Sequence, residues 1–234
     1  MKLTTSQEIA FRSLKEEIGS IRNSFSAWGI ALIGPNGLGK STVVRELTQQ
    51  LHFNDIRFVY LNLDIPVICP EGKCVNWDEF MKKVQEISPD LDFSKVGKTE
   101  SFSGRIAKIS LILKEAKKRL VIILDHLEEC RDWREARWPL DENMADIILV
   151  SDNYEWASKE QDRVVTSLFQ KKIYLDRPLD YDKDEEIFIE IIRDRFSISD
   201  EEIKDLFMLA KSKASNGEVL TWWDIFREAD KMED

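Results

Sequence analysis

Long apolar runs are missing from this chain of 234 residues. No stretch approaches the roughly 20 apolar residues that a membrane-spanning helix requires, so no membrane role is expected. Cysteine is scarce, limited to Cys69, Cys74 and Cys130. The N-terminal "MKLTTSQEIAFRSLKEEI" lacks the apolar core of a signal peptide. Together with the odd cysteine count, this argues against a disulfide framework and for a cytoplasmic protein. Cys69-Pro-Glu-Gly-Lys-Cys74 has the form of half a zinc knuckle. A structural zinc takes a full tetrahedral set, however, and Cys130, His52 and His126 are not paired at ligand spacing. We read the segment as a loop with incidental cysteines. Basic excess is absent as well: 34 Lys and Arg stand against 44 Asp and Glu, for a formal net charge of -10. Overall charge therefore does not make the chain a non-specific nucleic-acid binder, which leaves a local basic patch or binding within an assembly. There is no internal repeat and no low-complexity segment.

What is present reads as a globular α/β composition, with 43% hydrophobic residues and 33% charged. Ile9, Leu14, Ile18 and Ile21 predict a helix over residues 5–22. Buried strands are predicted at "WGIALI" (28–33), "IRFVYLNL" (56–63), "LVIILD" (120–125), "ADIILVSDN" (145–153) and "KIYL" (172–175). Between them lie predicted helices at "KSTVVRELTQQL", "WDEFMKKVQEI" and residues 104–119, the last with a stripe of Ile106, Ile109, Leu113 and Ala116. Alternating strands and helices imply a parallel sheet covered on both faces. After Pro178 no strand is found, and amphipathic helices follow. Ser199 and Glu202 have capping-box spacing at the start of one of them. The expected organisation is an α/β unit over residues 1–177 and a small helical unit over 178–234. Trp222 and Trp223 are adjacent in the last helix and point about 100° apart. Core packing of both is the plainer reading, and an exposed docking residue is the other.

The stretch Gly34-Pro35-Asn36-Gly37-Leu38-Gly39-Lys40-Ser41, followed by Thr42, fits the pattern G-x-x-x-x-G-K-[ST] between a strand and a helix. Glycines let the backbone fold back so that several N–H groups point at one anion, and the helix sets its positive end there. Lys40 is expected to reach the β- and γ-phosphates of a nucleotide, and the Ser41 hydroxyl to ligate Mg²⁺. Four apolar residues lead into Asp125, the acid expected to hold Mg²⁺ from the end of a buried strand.

"GPNGLGKST" also occurs in ABC-type transporter ATPases, but no "LSGGQ"-like signature precedes Asp125 and no Glu follows it directly. The chain is more similar to the AAA+ ATPases of the clamp-loader and replication-initiator branch. "IAFRSLKEEIGSIRNSFSAWGIALIGPNGLGKST" resembles the opening of such a module. "ILVSDN" resembles the strand that ends in sensor 1, with Asn153 or Ser151 as the polar residue. "TSLFQKKIYLDRPL" resembles the arginine-finger segment, and "GEVLTWWDIFREA" the sensor 2 helix of a helical lid. The resemblance implies an ATP- and Mg²⁺-dependent switch ATPase that works in a homo- or hetero-oligomer, with DNA or a DNA-bound protein as its partner.

Three departures go with the resemblance. The Glu that normally follows Asp125 is His126, the arginine finger aligns with Leu168, and the sensor 2 Arg aligns with Leu220. An arginine finger alone is worth about 10³–10⁵ in rate, so slow or partner-dependent hydrolysis is expected. Lys40, Asp125, Glu128 and Asn153 are the candidate catalytic residues, with Glu129 and His126 as other candidates for holding the attacking water. Arg131, Arg134 and Arg137, interleaved with Trp133 and Trp138, read first as a solvated helix face. One of these arginines, or Arg163, could act on a neighbouring subunit's nucleotide, and the tryptophans could stack on bases. The alternatives are a nucleotide-stabilised pseudo-ATPase, a STAND-type regulator without its sensing repeats, and a small P-loop kinase without its arginine-rich lid.

Overall fold

Five strands pair side by side, all parallel: β1 (Gly29–Ile33), β2 (Ile56–Asn62), β3 (Arg119–Asp125), β4 (Asp146–Ser151) and β5 (Phe169–Tyr174). The order across the sheet is β2-β3-β4-β1-β5. These are found in a computed structural model that describes residues 2–21, 26–50, 55–62, 77–97, 102–126, 144–151, 169–218 and 220–233. β1 and β4 are buried at every position, which is why their sequences run apolar without alternating. The sheet is thus the parallel, two-sided α/β sheet that the sequence predicts.

Helices cover both faces. On one, Phe80 and Val84 of α3 (Trp77–Ile87) and Ile106, Ile109 and Leu113 of α4 (Phe102–Glu115) pack on Ile122, Leu124, Ile147 and Leu149. On the other, α1 (Thr5–Ile21) and α2 (Lys40–Gln50) bring Phe11, Leu14, Val43, Val44 and Leu47 onto Ile30, Leu32, Ile123 and Ile148. Two local expectations change. Ile9 is exposed, because it lies about 140° round the helix from Leu14, and Ala10 and Phe11 carry the buried face instead. The predicted helix over 104–119 stops at Glu115. Lys117 turns left-handed (φ 55°), and the Lys118 N–H closes back on the Leu113 carbonyl at 2.7 Å, freeing Arg119 to start β3.

One ion pair knits the edge where the strands begin. The Arg119 Nε donates to Asp146 Oδ2, and its Nη2 donates to Asp146 Oδ1 at 2.8 Å. Two more guanidinium N–H groups donate to the carbonyls of Ile21 (2.9 Å) and Ser26 (2.6 Å). Asp146 Oδ1 also accepts the Trp28 N–H at 2.8 Å. The end of α1 and the starts of β1, β3 and β4 therefore share one charge pair. Burial pushes the Asp146 carboxyl up, and the guanidinium and the Trp28 amide pull it back down.

Beyond β5 three helices, α5 (Glu185–Arg193), α6 (Asp200–Ser215) and α7 (Trp222–Asp230), close on a core of their own. Phe188 meets Phe207 edge-on at 5.1 Å and stacks near Trp222 at 6.1 Å. Capping boxes fix two of the starts, Ser199 with Glu202 and Thr221 with Asp224. The first turn of α1 holds this unit. The Thr5 N–H and hydroxyl donate to the buried Asp184, and the Thr4 hydroxyl donates to the Pro178 carbonyl at 2.7 Å.

Arg119→Ala leaves the Asp146 carboxylate buried without its cation and is expected to lower stability by about 3–5 kcal/mol in urea denaturation. Arg193→Ala, which breaks an exposed pair with Asp200, is expected to cost less than about 1 kcal/mol. The amide and hydroxyl of Thr221 hold the Asp224 carboxyl below its ordinary 3.8. Its cap is then complete above that pH and is lost as pH falls through the lower native value. Thermal melts from about pH 5 to about pH 2 should decline, and Asp224→Asn should remove part of that dependence.

Candidate nucleotide-binding site

β1 runs buried to Ile33 and the chain then turns sharply. The Gly34 N–H donates to the Ser151 carbonyl at the end of β4, at 3.2 Å. Gly37 and Gly39 have φ of 76° and 88°, the left-handed region that side chains disfavour. Both are also crowded. A Cβ on Gly37 would lie 2.2 Å from Trp223 Cδ1, and one on Gly39 would lie 2.2 Å from Gln7 Nε2. α2 begins directly at Lys40, so the loop wraps its N-terminus, where unpaired amides and the helix dipole favour an anion. Lys40 is 5% exposed. Its ammonium donates to the Gly34 carbonyl at 2.7 Å and the Pro35 carbonyl at 2.9 Å. Ser41 and Thr42 follow in the first turn, both half-buried, while Pro35 and Asn36 are exposed and Leu38 is buried.

The acid lies at the same edge of the sheet. Asp125 is paired with Val150, and Val150 with Leu32, so β3, β4 and β1 end nearly level. Asp125 is 1% exposed. Its Oδ2 accepts the Tyr60 hydroxyl at 2.5 Å, and its Oδ1 has no hydrogen-bond partner among the described residues. His126 Nε2 lies 3.8 Å from that oxygen. A buried carboxylate oxygen with no donor fits a cation or a cation-bound water. Burial and the Asp125 carboxylate push the Tyr60 phenol well above its ordinary value, so it stays a donor. His126 adopts a left-handed φ of 62° and ties its N–H to the Val150 carbonyl at 3.2 Å.

The remaining sequence candidates divide in two. Ser151 ends β4 in a buried position beside Gly34, and Leu220 packs against the core of the helical unit. Glu128, Glu129, Asn153, Arg131, Arg134, Arg137, Trp133, Trp138, Arg163, Leu168, His52 and the three cysteines lie outside the described residues. Gln7, Arg45 and Tyr60 contribute here without any motif in the sequence to mark them, and Trp223, one of the tryptophan pair, joins them. Gln7 donates to the Leu38 carbonyl at 3.2 Å. The Arg45 guanidinium lies 5.6 Å from the Tyr60 ring centroid. The tryptophan pair splits: Trp222 is 7% exposed, whereas Trp223 is 67% exposed and rests on Gly37. The Trp222 N–H donates to the Gly37 carbonyl at 2.8 Å. Tyr60 had a signal, since Ile56, Phe58 and Tyr60 alternate onto one face of β2, but its partner follows only from strand register.

Gly37→Ala both strains the backbone and strikes Trp223. It is expected to lower stability by about 1–3 kcal/mol in thermal or urea unfolding. Trp223→Ala in the same chain should recover only the part due to the clash.

No protein-family model matches the chain, and no curated protein sequence matches it. Solved structures do. Cdc6p from Pyrobaculum aerophilum is similar with a TM-score of 0.62 at 18% identity, over 88% of this chain and 55% of that one. Aeropyrum pernix ORC1, solved in complex with DNA, gives 0.58 at 15% identity, over 91% and 56%. Domain III of the replication initiation protein DnaA from Thermotoga maritima gives 0.52 at 14% identity, over 100% and 95%. The chain spans about half the length of the two archaeal proteins. No described helix is long and apolar enough to cross a membrane. With its parallel sheet, glycine-turned loop and helical unit, the chain shares the α/β fold of these solved structures.

Proposed function

We propose that the chain binds ATP with Mg²⁺ in the loop Gly34–Thr42 and acts as a switch ATPase within an assembly on DNA, turning ATP over slowly or only with a partner. One observation carries this reading. The Lys40 ammonium sits inside its glycine loop, at the sheet edge where β3 ends in a buried carboxylate with one oxygen that has no hydrogen-bond partner among the described residues. In the proposed site the loop amides and the N-terminus of α2 bind the phosphates, and Lys40 exchanges carbonyl contacts for phosphate oxygens. Ser41 and Asp125 would hold Mg²⁺, which supplies positive charge against the charge that develops on the phosphates. Asn153 or Ser151 would read the γ-phosphate, and Glu128 is the candidate to orient water. Residues 178–234 would serve as a lid on an α/β unit of residues 1–177. The structural neighbours include ORC1 solved in complex with DNA, which supports DNA or a DNA-bound protein as the partner.

Two observations favour the weaker-turnover variant, in which nucleotide is chiefly a stabilising ligand. His126 stands in a left-handed turn where a water-polarising Glu is usual, and Leu220 packs inward instead of offering a cation. The decisive assay measures phosphate release and particle size together, with ATP and Mg²⁺, with and without single- or double-stranded DNA. The expected result is ATP-dependent assembly with hydrolysis that DNA raises and Lys40→Ala abolishes. Binding without turnover, assembly or any DNA response would leave only the stabilising-ligand variant.

A further inference from the structure

We propose that Tyr60 is a positioning residue for Asp125, pinning one carboxylate oxygen so that the other is presented to Mg²⁺. This rests on the nucleotide reading above and adds a residue to it. Tyr60 pairs with Ile123, and Asn62 pairs with Asp125, so Tyr60 stands two positions behind the acid on the adjacent strand. Ring length closes that gap, and the phenolic hydroxyl donates to Asp125 Oδ2 at 2.5 Å. A carboxylate at a strand end otherwise turns freely about its side-chain bonds. With Oδ2 engaged from the β2 side, Oδ1 is left as the acceptor without a hydrogen-bond donor among the described residues, on a residue that is 1% exposed.

Tyr60 is itself held from two helices. The Lys83 ammonium of α3 donates to the Tyr60 carbonyl at 2.7 Å. The Arg45 guanidinium of α2 lies 5.6 Å from the ring centroid. Arg45 follows Lys40 on the helix that the glycine loop opens, so the contacts run from the phosphate-binding helix through the ring to the acid. A donor of this kind fixes the orientation of a ligand without touching the metal, and its loss typically lowers metal affinity about 10–100-fold. Its effect therefore falls on the Mg²⁺ dependence of nucleotide binding, not on the phosphate cradle.

The test uses the full chain and Tyr60→Phe, which keeps the ring and its contact with Arg45 and removes the hydroxyl. Binding of a fluorescent ATP analogue is titrated with Mg²⁺ and, separately, measured in EDTA. Cooperative thermal melts of both proteins check folding. Tyr60→Leu, which loses the ring as well, serves as the second variant. The expected result is a rise of about 10-fold or more in the Mg²⁺ midpoint for Tyr60→Phe, with EDTA affinity unchanged. A Mg²⁺ curve that overlays the wild type overturns the inference. So does an equal loss of affinity with and without Mg²⁺, since a merely structural residue would give that pattern. Failure of the wild-type chain to bind the analogue under either condition overturns the nucleotide reading itself, and this inference with it.

Discussion

The ammonium group of Lys40 donates to two carbonyls that its own loop supplies, 2.7 Å from that of Gly34 and 2.9 Å from that of Pro35. A nearly buried cation at this place requires a loop that folds back on itself, and that loop requires residues able to take φ near 76° and 88°. The rest of the α/β unit keeps the loop where it is. β1 is buried along its whole length between β4 and β5, so its last residue is fixed from both sides. At the opposite edge Arg119 and Asp146 tie four segments together, which sets the level at which β3 and β4 end. Asp125 reaches the same edge as the loop through that register.

Two other elements close over the loop. α1 sends Gln7 to the Leu38 carbonyl, while Thr4 and Thr5 in the same turn hold Pro178 and Asp184. From the far side, the start of α7 places the Trp222 amide on the Gly37 carbonyl and the Trp223 ring over Gly37. The loop, the first helix and the helical unit thus share a small set of contacts. A change in what the loop holds has a direct mechanical route to the helical unit, which is what a nucleotide-dependent switch would need.

Much of this was legible in the sequence because it depends on local chemistry. Continuous apolar runs fixed the strands, the Ser199 and Glu202 spacing fixed a helix start, and the glycine–lysine pattern fixed the loop. The remainder depends on register and direction. Tyr60 finds Asp125 only when β2 and β3 are aligned residue by residue, and Gln7 finds Leu38 only when α1 is laid beside α2. Ile9 has a helical spacing but the wrong angle, so spacing alone misplaces it on the buried face. The early end of α4 turns on Lys117 in a left-handed conformation that its residue type does not announce. Trp223 is visible in the sequence as one of an adjacent pair, but that it lies on Gly37 is a matter of packing between distant segments.

Equilibrium binding of ATP to the wild-type chain and to Lys40→Ala, followed by calorimetry, bears most directly on the cradle. If the loop is a phosphate site, the wild type binds one ATP saturably with Mg²⁺. Lys40→Ala then loses that binding while keeping a cooperative melt. No heat and no saturation from a folded wild-type chain would contradict it, and would leave the loop as a structural turn with an internally satisfied lysine.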